Sequence, residues 1–142
     1  MIDDNESAKP VLTRKCALYV KQSNIRLTAE EQERCCLELS TSKGWDVSKE
    51  RIYRDLSVSN ISLKNRTELK AVLVDAQRSP RPFDYVVIED IYRLPSRPAE
   101  LQKIIAALRK CAVGIYFVGP DLDSESPNFA SFMDFIYGMR RF

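Results

Sequence analysis

Short apolar runs and stretches with helical periodicity alternate along this chain. The runs at 15–20, 83–89 and 112–118 have the length and the β-branched and aromatic content of buried strands, and residues 45–55, which contain Val47, Ile52 and Tyr53, can supply a further strand. The order is β-α-β-α-β-α-β-α. It predicts a three-layer α/β domain in which a mainly parallel sheet of four or more strands is flanked by helices on both faces.

Capping residues and apolar stripes locate the helices between the strands. Thr28 and Glu31 have capping-box spacing, and Gly44 lies where a C-terminal cap belongs, so a helix is predicted over 28–43. Ser96 is predicted to cap the third helix, and Ser126-Pro127 to open the last. The stripes at i, i+3, i+4 and i+7 are Leu69, Val72, Leu73 and Ala76 within 66–78, and Leu101, Ile104, Ile105 and Leu108 in the third helix.

The last helix carries more apolar residues than packing on one sheet requires. They are Phe129, Phe132, Met133, Phe135, Ile136, Met139 and Phe142. We interpret the excess as a partner surface, the alternative being a helix packed deep in its own core. The sequence ends on Arg140-Arg141-Phe142 without a cap, which favours the partner surface over the second interpretation.

The length and composition of the chain restrict its domain organisation and the kinds of site it can form. The 142 residues suffice for one compact core; we assign 15–142 to it and 1–14 to a flexible leader. Histidine is absent and the four cysteines lack C-x-x-C spacing, which excludes the usual zinc ligand sets and any Ser-His-Asp arrangement.

No apolar run of about 18 residues and no basic leader occurs, so we expect an intracellular, cytoplasmic protein with no membrane contact. A net charge of +2 does not by itself indicate nucleic acid.

Candidate functional residues follow the predicted strands. In an open α/β sheet, ligands bind at the loops that leave the carboxyl ends of the strands. One hydroxyl surrounded by several cations there would suit phosphoryl transfer from a DNA backbone, since guanidinium groups bind phosphate oxygens bidentately; the alternative is ordinary surface charge. The three loops hold Lys21 and Ser23; Asp55, Ser59 and Arg66; and Asp90, Arg93 and Arg97.

Four segments, in order, resemble the motifs of one family. Tyr19-Val-Lys-Gln-Ser23 resembles the Tyr-x-Arg-x-Ser signature that opens the catalytic domain of serine site-specific recombinases, the resolvase and invertase family with its phage-integrase and transposase branch. Gln32 lies where that family has a glutamine on its first helix. Asp55-Leu-Ser-Val-Ser59-Asn60 is similar to the family's Asp-x-x-x-Ser-Gly loop. Residues 62–69 look like the segment that supplies one active-site arginine, here Arg66. Val86–Leu94, together with Arg97, resembles the Asp-Arg-Leu-x-Arg motif.

The resemblance, which runs from about residue 15 to the end, implies a mechanism, partners and a catalytic domain that is truncated within its last helix. Ser23 would attack a phosphate of double-stranded DNA and form a 5′-phosphoserine link, without metal or other cofactor. Asp55 and Gln32 would orient a cationic group, with Tyr19, Ser59 and Asp90 in supporting positions. The residues implied to hold the phosphate are Lys21, Arg66, Arg93 and Arg97; those implied to form a homodimer or tetramer interface on the last helix are Phe129, Phe132, Met133, Ile136 and Met139.

Departures from the motifs motivate a second hypothesis. Lys21 replaces the signature arginine, Tyr92 replaces an aspartate before Arg93, and one extra residue separates Leu94 from Arg97. A degenerate module that binds DNA or assembles without cutting would tolerate these changes. An unrelated flavodoxin-like or nucleotide-binding protein is a third hypothesis, favoured only by architecture, because the chain lacks the G-x-G-x-x-G and P-loop glycine patterns.

Overall fold

A computed structural model describes residues 13–22, 26–56 and 63–140. The strands are β1 (Lys15–Lys21), β2 (Asp46–Asp55), β3 (Tyr85–Ile88), β4 (Gly114–Phe117) and β5 (Leu122–Asp123). The helices are α1 (Ala29–Ser42), α2 (Thr67–Ala76), α3 (Pro98–Lys110) and α4 (Phe129–Met139), with a 3-10 helix at Ile91–Arg93. The predicted alternation of four strands and four helices is confirmed, and the short β5 and the 3-10 helix are additions to it.

The described strands form one five-stranded sheet in the order β2-β1-β3-β4-β5. The first four strands pair in parallel, and β5 runs antiparallel to β4. Because β1 lies between β2 and β3, the carboxyl ends of these three strands are neighbours at one edge of the molecule. The mainly parallel, helix-covered sheet predicted from the sequence is therefore confirmed.

The central strands β1, β3 and β4 are buried on both faces, as their continuous apolar runs predict, whereas β2 at the edge is mostly exposed or half-buried. On β1, Cys16 and Leu18 point to one side and pack with Cys36 of α1. Ala17 and Tyr19 point to the other side, into a larger core built with α2, α3 and α4. The alternation of side chains along an extended strand thus divides one apolar run between two cores.

Local sequence signals set both ends of α1. The Thr28 hydroxyl accepts a hydrogen bond from the Glu31 amide at 3.1 Å, and the Glu31 carboxylate accepts one from the Thr28 amide at 2.8 Å, so the predicted capping box is confirmed. At the other end Gly44 has a φ of +72°. Its amide donates to Thr41 and that of Trp45 donates to Ser40, the pair of bonds that defines a Schellman motif.

Two other predicted caps are wrong. The N-cap of α3 is Arg97, not Ser96, because Pro98 takes the first helical position and holds the residue before it in an extended conformation. The N-cap of α4 is Asn128 rather than Ser126. The Ser126 hydroxyl accepts a hydrogen bond from the Asn128 amide at 3.4 Å, so it stabilises a turn that precedes the helix.

Helix α4 contributes to the core more than its predicted role as a partner surface implied. Three of the residues assigned to that surface, Phe129, Met133 and Ile136, are buried in the larger core, which corrects their assignment. The exposed apolar residues are Phe135 and Met139, with exposed fractions of 63% and 49%. Phe132 packs partly against the core, and Phe142 lies outside the described residues.

Strand β2 follows β1 with an interruption. Val47 pairs with Cys16, whereas Ile52 pairs with Leu18, so the four residues 48–51 of β2 lie opposite the single residue Ala17 of β1. Pairing then continues in register to Lys21 and Asp55, the last residues of the two strands. The irregularity therefore lies at the end of the sheet opposite the candidate site.

Gly44→Ala is expected to lower the free energy of unfolding by about 1 kcal/mol, because a side chain disfavours positive φ. A Cβ at position 44 would contact nothing within 4 Å, so the effect isolates backbone conformation. Urea denaturation measures it. Gly138→Ala is the matched control: Gly138 lies in α4 with equal free space, and alanine there should raise stability by about 0.5 kcal/mol. Equal effects at both positions would contradict the explanation.

Candidate active site

Three strand ends bring a group of charged side chains together. Lys21 ends β1 and Asp55 ends β2, and the two are register partners. Arg66 immediately precedes α2, and Arg93 ends the 3-10 helix that follows β3. Arg66 has an exposed fraction of 0% and Arg93 of 3%, far below what is usual for arginine. The convergence of these predicted residues distinguishes them from ordinary surface charge.

The hydroxyl of Tyr19 connects two of these residues. Arg66 Nη1 donates to the Tyr19 hydroxyl at 3.2 Å, and that hydroxyl donates to Asp55 Oδ2 at 2.8 Å. Burial raises the pKa of Tyr19, so the hydroxyl keeps the proton that it donates. Arg66 Nη1 also donates to the backbone carbonyl of Arg93, which ties the second loop to the third.

The carboxylate of Asp55, at the end of β2, caps the N-terminus of helix α2. It accepts hydrogen bonds from the backbone amides of Glu68 at 2.9 Å and Leu69 at 3.0 Å, in the first turn of α2. The N-cap residue of that helix, Arg66, provides no side-chain cap of its own. A carboxylate at a helix N-terminus also interacts favourably with the helix dipole. Asp55 thus holds α2, and with it Arg66, against the end of β2.

Arg93 has a partner that the sequence analysis did not identify. Its Nε donates to Glu89 Oε1 at 2.8 Å, and both side chains are buried. One terminal nitrogen of the guanidinium, Nη2, is buried and has no hydrogen-bond partner among the described residues. The spacing of four residues between Glu89 and Arg93 was visible, but it suggests a pair only within a helix, and these residues lie at a strand end and in a 3-10 turn.

Lys21 is buried between cationic neighbours. Its exposed fraction is 2%, and its Nζ donates to the Gln22 carbonyl at 3.0 Å. Burial lowers the pKa of Lys21, and the positive charges of Arg66 and Arg93 lower it further, while Asp55 acts in the opposite direction. Lysine at this position is therefore poised to exist in its neutral form more readily than an exposed lysine.

Gln32 bonds the backbone of Lys21 and Leu27, the described residues on either side of Ser23 in the sequence. Its Nε2 donates to the carbonyls of Lys21 at 2.7 Å and Leu27 at 3.1 Å, and its Oε1 accepts from the Lys21 amide at 3.1 Å. The side chain is fully buried on α1. Gln32 therefore positions backbone next to Ser23, a role different from the implied orientation of a cationic side chain.

The remaining predicted residues have separate surroundings. Ser23 and Ser59 lie outside the described residues. Asp90 is buried, and its nearest ion-pair partner is Arg26, at 3.9 Å. Arg97 is exposed at the N-terminus of α3. The structure thus brings Lys21, Arg66 and Arg93 together with Asp55, Tyr19 and Gln32, whereas Arg97 is not buried with them.

The described ranges show neither a metal site nor a membrane-spanning helix. Within 13–22, 26–56 and 63–140, no three side chains of the histidine, cysteine or acidic type are grouped as a metal site requires. All four cysteines are free thiols, with Cys16 and Cys36 buried. No helix in this part of the chain has the length and apolarity needed to cross a bilayer.

Comparison with solved structures identifies related folds. The N-terminal catalytic domain of TP901-1 integrase matches with a TM-score of 0.74 and 18% identity over 89% of this chain and 93% of that one. A resolvase-family site-specific recombinase from Streptococcus pneumoniae gives 0.72 and 16% over 91% and 89%. The C-terminal catalytic domain of ISC1926 TnpA, an IS607-like serine recombinase, gives 0.60 and 20% over 85% and 76%. No curated protein matches the chain.

The family comparison covers nearly the whole chain. The profile described as the resolvase N-terminal domain matches residues 16–142. That range contains all four segments whose motifs resemble serine recombinases, and the fold agrees with the solved catalytic domains. The chain therefore belongs to the resolvase N-terminal domain family of serine site-specific recombinases.

Proposed function

We propose that this protein cleaves and rejoins DNA strands at specific sites through a covalent phosphoserine intermediate on Ser23. The observation that carries the proposal is the burial of Lys21, Arg66 and Arg93 together at the adjoining ends of β1, β2 and β3. Buried charge needs compensation, which the carboxylates of Asp55 and Glu89 supply in part. A DNA phosphate at this place would supply the negative charge.

The cluster has a net positive charge. Three cations, Lys21, Arg66 and Arg93, face two carboxylates, those of Asp55 and Glu89, when every group is ionised. Asp55 is occupied by Tyr19 and by backbone amides, and Glu89 by Arg93 Nε. The Nη2 group of Arg93 then remains as a donor for a nonbridging phosphate oxygen, the kind of contact that stabilises charge in phosphoryl transfer.

The position of the nucleophile follows from its neighbours in the chain. Ser23 is two residues after Lys21 and four before Leu27, and Gln32 bonds the backbone of both. The Gln22 amide also donates to the Asp55 carbonyl at 2.8 Å. Lys21, Gln22 and Leu27, which flank Ser23 in the sequence, are therefore held by Gln32 and Asp55, and this supports the assignment of Ser23 as the attacking group.

Arg97 receives a different role in this proposal. Its exposed side chain at the start of α3 is suited to a DNA phosphate outside the reacting position, since surface arginines contribute affinity and orientation. The same observation favours the second candidate function, a recombinase-like module that binds DNA or assembles without cleavage. Covalent chemistry at Ser23 separates the two.

The proposed assembly is a dimer or tetramer of this chain on double-stranded DNA. Its apolar contacts would come from the exposed side of α4, where Phe135 and Met139 lie, rather than from the buried Phe129, Met133 and Ile136. Family membership supports self-association in general.

Ser23→Ala is expected to abolish covalent protein–DNA adducts. A pool of duplex DNA with randomised sequence serves as the probe. Wild-type protein is incubated with it, denatured, and separated by gel electrophoresis; the adduct is then mapped by mass spectrometry. Without the Ser23 hydroxyl no phosphoserine link can form, so adduct yield should fall to background.

Ser42→Ala is the matched control, because Ser42 is an exposed serine at the end of α1 and should form adducts at the wild-type level. Adducts that persist in Ser23→Ala would refute the assignment of the nucleophile. Wild-type protein that retains DNA in a gel-shift assay but never becomes linked to it would favour the non-cleaving module.

A further inference from the structure

An exposed tyrosine, Tyr92, contacts two arginines that come from distant parts of the chain. The Cζ atom of Arg26, in the segment before α1, is 5.8 Å from the centre of the Tyr92 ring, and that of Arg140, at the end of α4, is 5.6 Å from it. Both distances are typical of cation–π interactions. The ring has an exposed fraction of 51%, so it is accessible from solvent. We call Arg26, Tyr92 and Arg140 the outer cluster.

The described groups of the outer cluster carry more positive than negative charge. Asp90 supplies a carboxylate, with its Oδ2 3.9 Å from Arg26 Nη1. A Cβ at position 119 would lie 2.9 Å from that same oxygen, so Gly119 leaves the space that the carboxylate occupies. Two guanidiniums beside one carboxylate leave one positive charge uncompensated in this part of the structure. An anionic ligand would balance it.

Arg140 also offers a hydrogen-bond donor. Its Nη1 is buried and has no hydrogen-bond partner among the described residues. Burial lowers the pKa of Arg140, but a guanidinium stays protonated in proteins, so the donor remains charged in partly dry surroundings. A buried polar group without a partner calls for an explanation, and a bound ligand is one. Phosphate oxygens are preferred acceptors for guanidinium groups.

The outer cluster lies next to the buried cations. Tyr92 immediately precedes Arg93, and both belong to the 3-10 helix that follows β3. Arg93 has a buried donor without a described partner of its own, Nη2. Two anion sites on consecutive residues fit a polymer that presents phosphates at short, regular intervals, and each strand of DNA has about one phosphate per 3.4 Å of helix axis.

We propose that Arg26, Tyr92 and Arg140 bind a DNA phosphate close to the one that is proposed to react. The inference rests on the proposed function for its ligand, but it requires neither strand cleavage nor a contact with Ser23. The two guanidiniums would donate to nonbridging oxygens, while the Tyr92 ring holds them in place. Contacts of this kind position DNA without reading its sequence. The second phosphate would thus set the register of the strand on the buried cations.

The test measures DNA binding in a Ser23→Ala background, where covalent chemistry does not contribute. Protein is titrated into a fluorescent duplex, and anisotropy gives the affinity between about 50 and 200 mM salt. Arg26→Gln and Arg140→Gln should each weaken binding about 5-fold at the lowest salt, and the double variant should reduce the slope of log affinity against log salt by about one. The two effects should not add, because both arginines bind the same phosphate.

Two further variants exclude a general effect of charge. Tyr92→Ala alters no charge and should still weaken binding about 3-fold, because the guanidiniums lose the ring that holds them. Arg78→Gln is the matched control: Arg78 is an exposed arginine with an ion pair to Asp75 at 3.4 Å, and it lies between α2 and β3, ahead of the strand rather than after it. Its affinity and salt slope should equal those of the parent protein. Thermal denaturation establishes that each variant is folded.

The outcomes separate the inference from the proposed function. Arg140→Gln that binds like Arg78→Gln would overturn the second phosphate site, and so would fully additive effects of Arg26→Gln and Arg140→Gln. If wild-type protein forms adducts but the salt slopes are unaltered, the proposed function stands and the inference fails. Altered slopes without any adducts from wild-type protein would have the reverse meaning. Protein that binds no duplex at all would overturn both.

Discussion

Asp55→Ala is expected to reduce the free energy of unfolding by about 3–5 kcal/mol, as for the loss of one partner in a buried charge network. Three hydrogen bonds disappear, from the Tyr19 hydroxyl and from the amides of Glu68 and Leu69. The first turn of α2 loses its cap, and Arg66 loses nearby negative charge while remaining fully buried. Few single side chains in the described structure are required by so many neighbours.

Urea denaturation followed by circular dichroism provides the measurement. Asp46→Ala is the control, because Asp46 begins the same strand but its side chain is exposed, and its replacement should change stability by less than about 0.5 kcal/mol. A loss below about 1 kcal/mol in Asp55→Ala would contradict the interpretation of Asp55 as the residue that fixes α2 to the sheet.

Glu89→Ala is expected to lower stability by a similar amount, about 3–5 kcal/mol, because it leaves the buried Arg93 guanidinium without its carboxylate. The pair is 2.8 Å long and both side chains are shielded from water, so neither solvent nor salt compensates for the lost partner. Adduct formation should decline as well, since Arg93 would no longer be held by its Nε group.

A double replacement separates electrostatics from packing. Glu89→Leu combined with Arg93→Met removes both charges and keeps the volume apolar, and it should recover most of the stability lost in Glu89→Ala. It should not recover adduct formation. Glu38→Ala, at an exposed glutamate on α1, controls for the removal of a carboxylate in general. If the double variant is no more stable than Glu89→Ala, the ion pair does not explain the effect.

Sequence patterns predicted those features that depend on neighbours in the chain. The capping box of Thr28 and Glu31, and the C-terminal Gly44, are local signals, and both ends of α1 were predicted correctly. Strands β1, β3 and β4 were also recognised, because burial on both sheet faces leaves continuous apolar runs. Such features need no knowledge of the tertiary structure.

Features that depend on distant residues were harder to predict. Two-residue β5 exists because it pairs with β4, and nothing in Leu122-Asp123 alone indicates a strand. Ser96 and Ser126 were each expected to cap a helix because serine is a common N-cap. Pro98 placed that position at Arg97, and a turn at Ser126 delayed the start of α4.

In the candidate site too, the sequence predicted some features and missed others. Motif resemblance selected Lys21, Arg66 and Arg93, and the parallel sheet order brings them together. The motifs did not indicate that Tyr19 links Asp55 to Arg66, because Tyr19 and Asp55 are 36 positions apart in the sequence. They also did not indicate that Gln32 bonds the backbone of Lys21, which is 11 positions away. Glu89 was missed because no helical spacing connects it to Arg93 in the folded chain.

The two lateral borders of the described sheet offer little to an incoming strand. On one side, β5 contributes only two residues, and they run against the direction of β4. On the other side, β2 is interrupted at 48–51, where Lys49, Glu50 and Arg51 place charge beside the break. Short, irregular and charged margins resist intermolecular β-sheet extension. These margins therefore protect the protein against aggregation by strand pairing between molecules.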